Sequence, residues 1–333
     1  MVTAIYAIVI FCLLIFVHEL GHFLTAKAVG IKVNEFALGM GPKILSFGKK
    51  ETTYSLRAFP IGGFVSMEGE DEDSDHERAF NKKPAWARAI VIVAGSVMNF
   101  LTAIVIIAII VLIVGVTTNV IGIVSPGSPA EEAGLLPGDR IVAIEGASID
   151  SWQDVINGIG GSQGDRISLT VERGNERISI ISDFENSEGR RIIGIQSKPE
   201  HAVLPAIKAG VLNILYWTRE MFFFLGQLFT GQGSMNDLMG PVGIVSTIND
   251  QAKYGILSIA NLAALISLNL AIVNMLPFPA LDGGKLLFLV IRRVTGKAIT
   301  DEMEGKIHFA GLMLLFGLMI YLVIQDFGRF VLG

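Results

Sequence analysis

The stretch "FVHELGHFLTAKAVG", residues 16–30, places two histidines and a glutamate at the end of an apolar run that starts at Met1. On a helix, His18 and His22 lie one turn apart on one face, so both imidazoles can bind one metal ion. Glu19 lies beside that face, where it can take a proton from a water molecule. The alternative is a chance pattern, but three such residues without partners are costly inside a membrane span. The stretch therefore predicts a metal site on a transmembrane helix.

The composition is that of a membrane protein. The 333 residues are 51% hydrophobic and only 17% charged, and the mean hydropathy is +0.58. A net charge of −5, with the lysines and arginines dispersed, argues against nucleic acid as a partner. The single cysteine, Cys12, excludes a disulfide framework and a thiolate zinc site, so any metal ligands are nitrogen and oxygen atoms. The first apolar run lacks the basic start of a signal peptide and is predicted to be retained.

Four stretches are long enough to cross a hydrocarbon core of about 30 Å, which takes roughly 20 helical residues. They are residues 2–29, 89–116, 256–276 and 309–324. Basic residues concentrate in the connection between the first two stretches and in the connection between the last two. The positive-inside rule places both connections in the cytoplasm and both termini outside. We therefore expect a polytopic α-helical membrane protein with about four transmembrane helices.

The polar segments between the spans carry structure of their own. Alternating apolar and polar residues between glycine-rich turns predict a membrane-associated β-hairpin or small sheet before the second span, followed by a charged loop. Short β-branched runs, turn dipeptides and two helix-like patches predict an inserted α+β domain after it. The next apolar segment is interrupted by polar residues and fits an interfacial helix better than a fifth span. The expected divisions are residues 1–29, 30–88, 89–117, 118–199, 200–255, 256–294 and 295–333.

A third metal ligand is predicted from "NLAIVNMLPFPALDGGKLLF", residues 269–288. The third span breaks at two prolines and then presents Asp282, and non-helical backbone at membrane depth is tolerated only where it lines protein or a water-filled cavity. Both this span and the first run from outside to inside, so Asp282 is expected at the level of His18 and His22. The other candidates are His76, His201 and His308, of which His308 is more typical of an interfacial histidine.

Two asparagines are candidate polar groups near this site. Asn274 precedes the break and is predicted to donate a hydrogen bond to a substrate carbonyl or a developing oxyanion, whereas helix packing is the alternative. The same role is less favoured for Asn269. Gly95 and Asn99, in "AGSVMNF", are interpreted mainly as packing residues between the first two spans, with substrate binding as the second interpretation of Asn99.

These motifs together resemble the site-2 proteases, which are intramembrane zinc metalloproteases, and most of all the bacterial branch typified by the regulator-of-sigma-E protease. The segments "FALGMGPKI", "FPIGGFVSM", "GPVGIVSTI" and the break before Asp282 occur in the family's order, so the resemblance covers nearly the whole chain. It implies that His18, His22 and Asp282 bind Zn2+. It also implies that Glu19 is the general base and acid for a zinc-activated water, and that Asn274 positions the substrate.

The resemblance further implies roles for the two polar segments. The hairpin residues Gly62, Gly63 and Phe64 are expected to align the substrate as an added strand. Residues 118–199 are expected to be an extracytoplasmic PDZ domain. Its peptide groove is predicted at Gly122 and Ile123, unless the domain only blocks the active-site entrance. The chain carries one such unit where the best-known members have two, so their filtering of substrates by size does not carry over.

The implied partners are the lipid bilayer and single-span membrane proteins such as anti-sigma factors or signal peptides. The implied location is the bacterial inner (plasma) membrane, with the active site near the cytoplasmic side. Two other functions remain open from the residues alone. The first is a catalytically inactive membrane PDZ scaffold with a structural metal site, although such sites normally have four protein ligands. The second is a metal-ion transporter, which would need polar residues along several spans.

Overall fold

The computed structural model describes residues 2–48, 51–70, 72–187, 190–234, 238–296 and 300–329, and divides into two units, residues 1–107 with 210–333 and residues 108–209. The helices are α1 (Val2–Ala28), α2 (Ala85–Val114), α3 (Pro129–Glu132), α4 (Trp152–Gly161), α5 (Val203–Phe229), α6 (Pro241–Ala252), α7 (Ile256–Asn274), α8 (Asp282–Thr295) and α9 (Asp301–Phe327). The strands are β1 (Val33–Phe47), β2 (Thr53–Met67), β3 (Val116–Val124), β4 (Arg140–Ile144), β5 (Ala147–Ser148), β6 (Arg166–Arg173), β7 (Glu176–Asp183), β8 (Glu185–Ser187), β9 (Arg190–Ile192) and β10 (Ile195–Glu200).

The predicted number and order of membrane spans are confirmed. Within the described residues, four helices are long and apolar enough to cross a membrane: Ile5–Ala28, Ala85–Val114, Ile256–Asn274 and Glu302–Phe327. The last helix begins well before the predicted residue 309. The Thr300 hydroxyl accepts a hydrogen bond from the Met303 amide, and this N-cap lets the polar first turns continue as helix.

The first two spans pack closely because one glycine lies between them. A Cβ at Gly21 would overlap the carbonyl oxygen of Ala94, so only glycine allows α1 and α2 to approach this far. Away from this contact, α1 shares an apolar core with α6 and α7. The buried members of that core are Ala7, Ile10, Leu14, Ile248, Ile259 and Ile266.

The predicted sheet after the first span is formed by β1 and β2. Residues 35–38 of β1 pair both with residues 63–66 and with residues 53–56 of β2, so the first half of β1 lies between the two halves of β2. One face of this sheet packs its apolar side chains against α1 and α2. At the other end Ile44, Phe47 and Phe59 are each at least 60% exposed, which fits the expected association with lipid.

The inserted domain, residues 116–200, has the predicted α+β composition. Its main sheet has the strand order β10-β3-β4-β6-β7, with β5 beside β4. The helices α3 and α4 lie at the two predicted helix-like patches, residues 129–133 and 152–159. Each helix is preceded by a serine that caps its first turn, Ser128 and Ser151. Among the described residues, the members of its core cluster all belong to the domain itself, among them Ile121, Ile141, Leu169 and Ile193.

The sheet order restricts the predicted peptide groove at Gly122 and Ile123 to one side of β3. Both residues lie in β3, which pairs with β10 on one side and with β4 on the other. A Cβ at Gly122 would lie 2.9 Å from Cα of Lys198, so the space beside it is filled by β10. Among the described residues the pairing of β3 with β4 is at Val120, before these two residues, so an added strand is blocked on the β10 side and the groove stays a prediction.

The segment after the inserted domain forms one long helix, α5, and then the shorter α6. Within the described residues α5 is not among the helices that qualify as spans, and its interfacial position stays a prediction. The "GPVGIVSTI" segment begins α6, and the first turn of this helix is held by the last membrane helix. Oδ2 of Asp326, which is 2% exposed, accepts a hydrogen bond of 2.7 Å from the amide of Gly243.

Candidate active site

The three predicted metal ligands meet at one point. His18 and His22 lie on α1, and Asp282 is the first residue of α8. Nε2 of His18 lies 3.2 Å from Nε2 of His22 and 3.2 Å from Oδ2 of Asp282, and Nε2 of His22 lies 3.3 Å from the same oxygen. Tetrahedral zinc with ligand bonds of about 2.0–2.1 Å separates its ligand atoms by about 3.3 Å. The triangle therefore has the dimensions of a zinc site.

The hydrogen bonds behind the histidines leave the correct nitrogen atoms for a metal. Nδ1 of His22 lies 2.8 Å from the carbonyl oxygen of Val91, which can only accept, so Nδ1 carries the proton and Nε2 keeps its lone pair. Nδ1 of His18 lies 3.4 Å from the side-chain amide of Asn99. Oδ1 of Asn99 is buried without a hydrogen-bond partner among the described residues, and exchanging the amide oxygen and nitrogen lets it accept from His18 Nδ1–H.

This geometry changes the interpretation of Asn99. Its side chain is 0% exposed and lies on the Nδ1 side of His18, away from the metal-binding nitrogen. This position suits a group that orients the predicted ligand His18, and substrate binding by Asn99 stays a prediction. Asn274 is different, because its side-chain amide lies 3.5 Å from Nε2 of His18, on the metal-binding side of the ring.

Gly95 of α2 makes room for the two histidines. A Cβ at this position would overlap Nε2 of His22 and would lie 2.7 Å from Cε1 of His18. The prediction that Gly95 lets the first two spans pack is therefore incomplete, since the atoms it accommodates belong to the metal ligands themselves. No spacing in the sequence relates Gly95 to these histidines.

The break after α7 brings Asp282 to the histidines. The helix ends at Asn274, and the prolines at 277 and 279 lack the amide protons that would continue it. Ala280 then adopts φ +76°, a left-handed conformation that costs a non-glycine residue about 1–3 kcal/mol. Gly283 and Gly284 lie so close to the carbonyl groups of residues 275–278 that any Cβ would overlap them. The backbone geometry of the break therefore places Asp282 beside His18 and His22.

A cavity of about 180 Å³ contains the three ligands and Glu19. Its other wall is the second half of β2, which contributes Phe64, Val65 and Met67. A Cβ at Gly63 would lie 3.2 Å from Cγ of Glu19, so glycine lets this strand pass directly beside the carboxylate. Gly62 has φ +85° and approaches the side chain of Met40 instead, which makes it a bend residue of the sheet.

Two further contacts at the site have no signal in the sequence. Nζ of Lys285 lies 2.7 Å from Oε1 of Glu70, and this pair lines both the ligand cavity and a neighbouring cavity of about 400 Å³. Nδ1 of His308 accepts a hydrogen bond of 2.8 Å from the amide of Ala280, inside the break. His308 is thus neither a ligand nor only an interfacial residue. The other two candidate histidines bond elsewhere, His76 to the amide of Arg78 and His201 to the carbonyl of Leu112.

Comparison with known proteins gives consistent similarities over almost the whole chain. The model of Peptidase family M50 matches residues 6–318. The zinc metalloprotease RasP of Geobacillus kaustophilus is 35% identical over 410 residues, which cover 98% of this chain and 97% of that protein. The regulator of sigma-W protease RasP of Bacillus subtilis is 33% identical over 418 residues, which cover 99% of each.

A solved PDZ domain of an SdrC-like protein from Listeria innocua is similar to part of the chain. It is 30% identical, covers 26% of this chain and 97% of its own, and has a TM-score of 0.22. The family match is far longer, and its matched residues include both α1 and the break before α8.

Proposed function

Because this chain belongs to peptidase family M50, the site-2 protease family of zinc metalloproteases, we propose that it is an intramembrane endopeptidase with Glu19 as its general base. The reaction is hydrolysis of a peptide bond in a single-span membrane protein. One observation carries the proposal: His18, His22 and Asp282 form a triangle of zinc-site dimensions in a cavity that also contains Glu19.

The metal chemistry follows from the ligand set. His18, His22 and Asp282 would hold the ion, and three protein ligands leave a position open for substrate or water, as in catalytic sites. When bound, zinc polarises the peptide carbonyl and makes water a better nucleophile at neutral pH. The hydrogen bonds from the histidine rings to Val91 and Asn99 hold the rings in the orientation that binding requires.

Glu19 and Asn274 provide the proton transfer and the oxyanion hydrogen bond of the proposed reaction. Glu19 takes a proton from the attacking water and delivers it to the leaving amide nitrogen, so that one carboxylate serves as base and then as acid. The side-chain amide of Asn274 donates a hydrogen bond to the oxygen on which negative charge develops. Its distance of 3.5 Å from Nε2 of His18 supports this role.

The second half of β2 supports a mechanism for presenting the substrate. A peptide bond in a helix is shielded by helical hydrogen bonds, so the substrate has to unwind locally before cleavage. Residues 63–66 pair with β1 on one side, while Phe64, Val65 and Met67 line the ligand cavity. An unwound substrate segment adds to this strand by backbone hydrogen bonds and so places its peptide bond beside Glu19.

The substrate class and orientation follow from the charges and the relatives. Basic residues in the two connections support an active site near the cytoplasmic side of a bacterial plasma membrane, with the inserted domain outside. One relative is named a regulator of sigma-W protease, which supports anti-sigma factors as substrates here. Signal peptides left in the membrane are the second substrate class.

The proposal is tested with Glu19→Gln in purified, detergent-solubilised protein. Zinc content and cleavage of a panel of single-span substrates are measured together on the parent and the variant. We expect about one zinc per chain in both proteins and cleavage only by the parent, because glutamine keeps the shape of Glu19 but cannot accept a proton. Glu132→Gln, at an exposed position of α3 in the inserted domain, is the matched control and is expected to cleave normally.

Normal turnover by the Glu19→Gln variant would refute the assignment of the general base. Absence of zinc from the parent would refute the ligand set as well. If Glu132→Gln also lost cleavage, the loss in Glu19→Gln would not be specific to Glu19. That result would count against the assignment of Glu19 as the general base.

A further inference from the structure

We propose that His308 and Gly311 of the last membrane helix position Asp282 for metal binding. This inference rests on the proposed function, since it assumes that Asp282 is a zinc ligand. It assigns to α9 a part in building the metal site, although this helix supplies none of the three ligands.

The first contact fixes the backbone two residues before Asp282. Ala280 is held at φ +76°, which a non-glycine residue adopts only when its surroundings stabilise it. The amide of Ala280 donates to Nδ1 of His308 at 2.8 Å. This hydrogen bond satisfies a backbone amide that has no helical acceptor, because α7 ends at Asn274 and α8 begins only at Asp282.

The second contact fixes the residue before Ala280. A Cβ at Gly311 would lie 2.5 Å from Cβ of Pro279 and 2.6 Å from its carbonyl oxygen. His308 and Gly311 are three residues apart in α9, so they lie on the same face of that helix. The break therefore rests on one face of α9, through a hydrogen bond at one point and direct backbone contact at the other.

The imidazole of His308 is itself held in place. Its ring packs against Phe288 of α8 with 5.5 Å between the ring centroids. Because Nδ1 accepts from Ala280, the neutral ring carries its proton on Nε2, which lies 3.7 Å from Oε1 of Glu304. Glu304 also pairs with Arg292 of α8. The contacts of His308 thus connect the start of α9 both to the break and to the helix that Asp282 begins.

The consequence concerns the third ligand alone. His18 and His22 are fixed by α1 and by their contacts with Val91 and Asn99. Asp282 reaches them across the break, so its carboxylate is correctly placed only while the break keeps its shape. His308 is not a member of the cluster formed by His18, His22 and Asp282, and its role is that of a positioning residue.

The test uses the full-length protein with four variants. His308→Leu removes the acceptor, and His308→Asn replaces Nδ1 with an amide oxygen that can accept the same bond. Gly311→Ala places a methyl group against Pro279. Gly317→Ala is the matched control, because a Cβ at Gly317 meets no atom of the described residues within 4 Å. Zinc affinity is measured by chelator competition, coordination geometry by the visible spectrum of the Co2+ form, and stability by the unfolding temperature of the metal-free form.

We expect His308→Leu and Gly311→Ala to weaken zinc binding by about 10–100-fold, the usual effect of losing a group that orients a ligand, and to alter the Co2+ spectrum. His308→Asn and Gly317→Ala should keep most of the parent's affinity and its spectrum. If His308→Leu does not fold, the pair Gly311→Ala and His308→Asn carries the same test.

Parent-like zinc affinity and Co2+ spectra in His308→Leu and Gly311→Ala would overturn this inference and leave the proposed function intact. Equal weakening by Gly317→Ala would also overturn it, because the effect would then not depend on contact with the break. A parent protein that binds no zinc would overturn the proposed function, and this inference with it.

Discussion

At the scale of single residues, the site depends on small side chains as much as on its ligands. His18 and His22 can approach the same point only because α2 has no side chain at Gly95. Gly63 has the corresponding role beside Glu19, where it lets a strand pass close to the carboxylate. These glycines act by making space, so their substitution should affect metal binding or substrate alignment without removing a chemical group.

Gly95→Ala tests this at the metal site. The added methyl group would overlap Nε2 of His22, so one imidazole has to turn away from the metal position. We expect zinc affinity, measured by chelator competition, to fall by about 10–100-fold. Gly226→Ala in α5 is the control, because its Cβ meets no atom of the described residues within 4 Å. Equal zinc affinity in the parent and Gly95→Ala would show that the histidines have room to rearrange.

At the scale of secondary-structure elements, the β1–β2 sheet contains a charged cluster that joins its strands. Glu35 of β1 accepts hydrogen bonds from Ser55 and Arg57 of β2 and pairs with Lys43 at 2.9 Å. Burial raises the pKa of Glu35, but hydrogen bonds from Ser55, Lys43 and Arg57 outweigh it and lower the pKa to about 2. The cluster therefore stabilises the sheet that lines the ligand cavity.

The lowered pKa of Glu35 predicts a pH-dependent contribution to stability. Because the folded-state pKa lies below the ordinary value of 4.5, the contribution is complete above pH 4.5 and is lost as the pH falls towards 2. Glu35→Gln should lower the free energy of unfolding by about 1 kcal/mol at neutral pH. Unfolding temperatures of parent and variant, compared over this pH range, should converge in acid. A difference that stays constant with pH would contradict the prediction.

At the scale of the whole molecule, the chain combines a membrane unit that contains the site with an inserted domain that has its own core. The buried core residues of that domain lie between Ile121 and Ile193. Asp139, which is 1% exposed, pairs with Arg173 at 2.7 Å and ties the start of β4 to the end of β6. All of these contacts lie within residues 116–200.

We therefore expect residues 116–200 to fold without the membrane helices. A peptide of this range should be soluble, should show mixed α and β circular dichroism and should unfold in one cooperative thermal transition, as small single domains usually do. Asp139→Asn in the same peptide should lower the unfolding temperature, because it removes the buried carboxylate charge that pairs with Arg173. A gradual transition in the parent peptide would mean that the domain needs the rest of the chain.

The local features of the protein could be predicted from its sequence. The four spans follow from the length of apolar runs, and the pair His18 and His22 follows from helical periodicity, because both depend on residues close together in the chain. The break before Asp282 was also readable, since proline cannot continue a helix wherever it packs. These local rules were enough to predict the three ligands and the general base and to show the family resemblance.

The contacts that complete the site depend on which elements pack together. Gly95 and Asn99 reach the histidines of α1, and His308 reaches the break, only because separate helices meet in the folded chain. The pairing of β3 has the same cause. Short β-branched runs predicted strands in the inserted domain, but hydrogen bonding of β3 to β10 and β4 is a long-range choice that no local pattern encodes. Periodicity reports the conformation of neighbouring residues, whereas the partners of a side chain are settled by packing between segments distant in sequence.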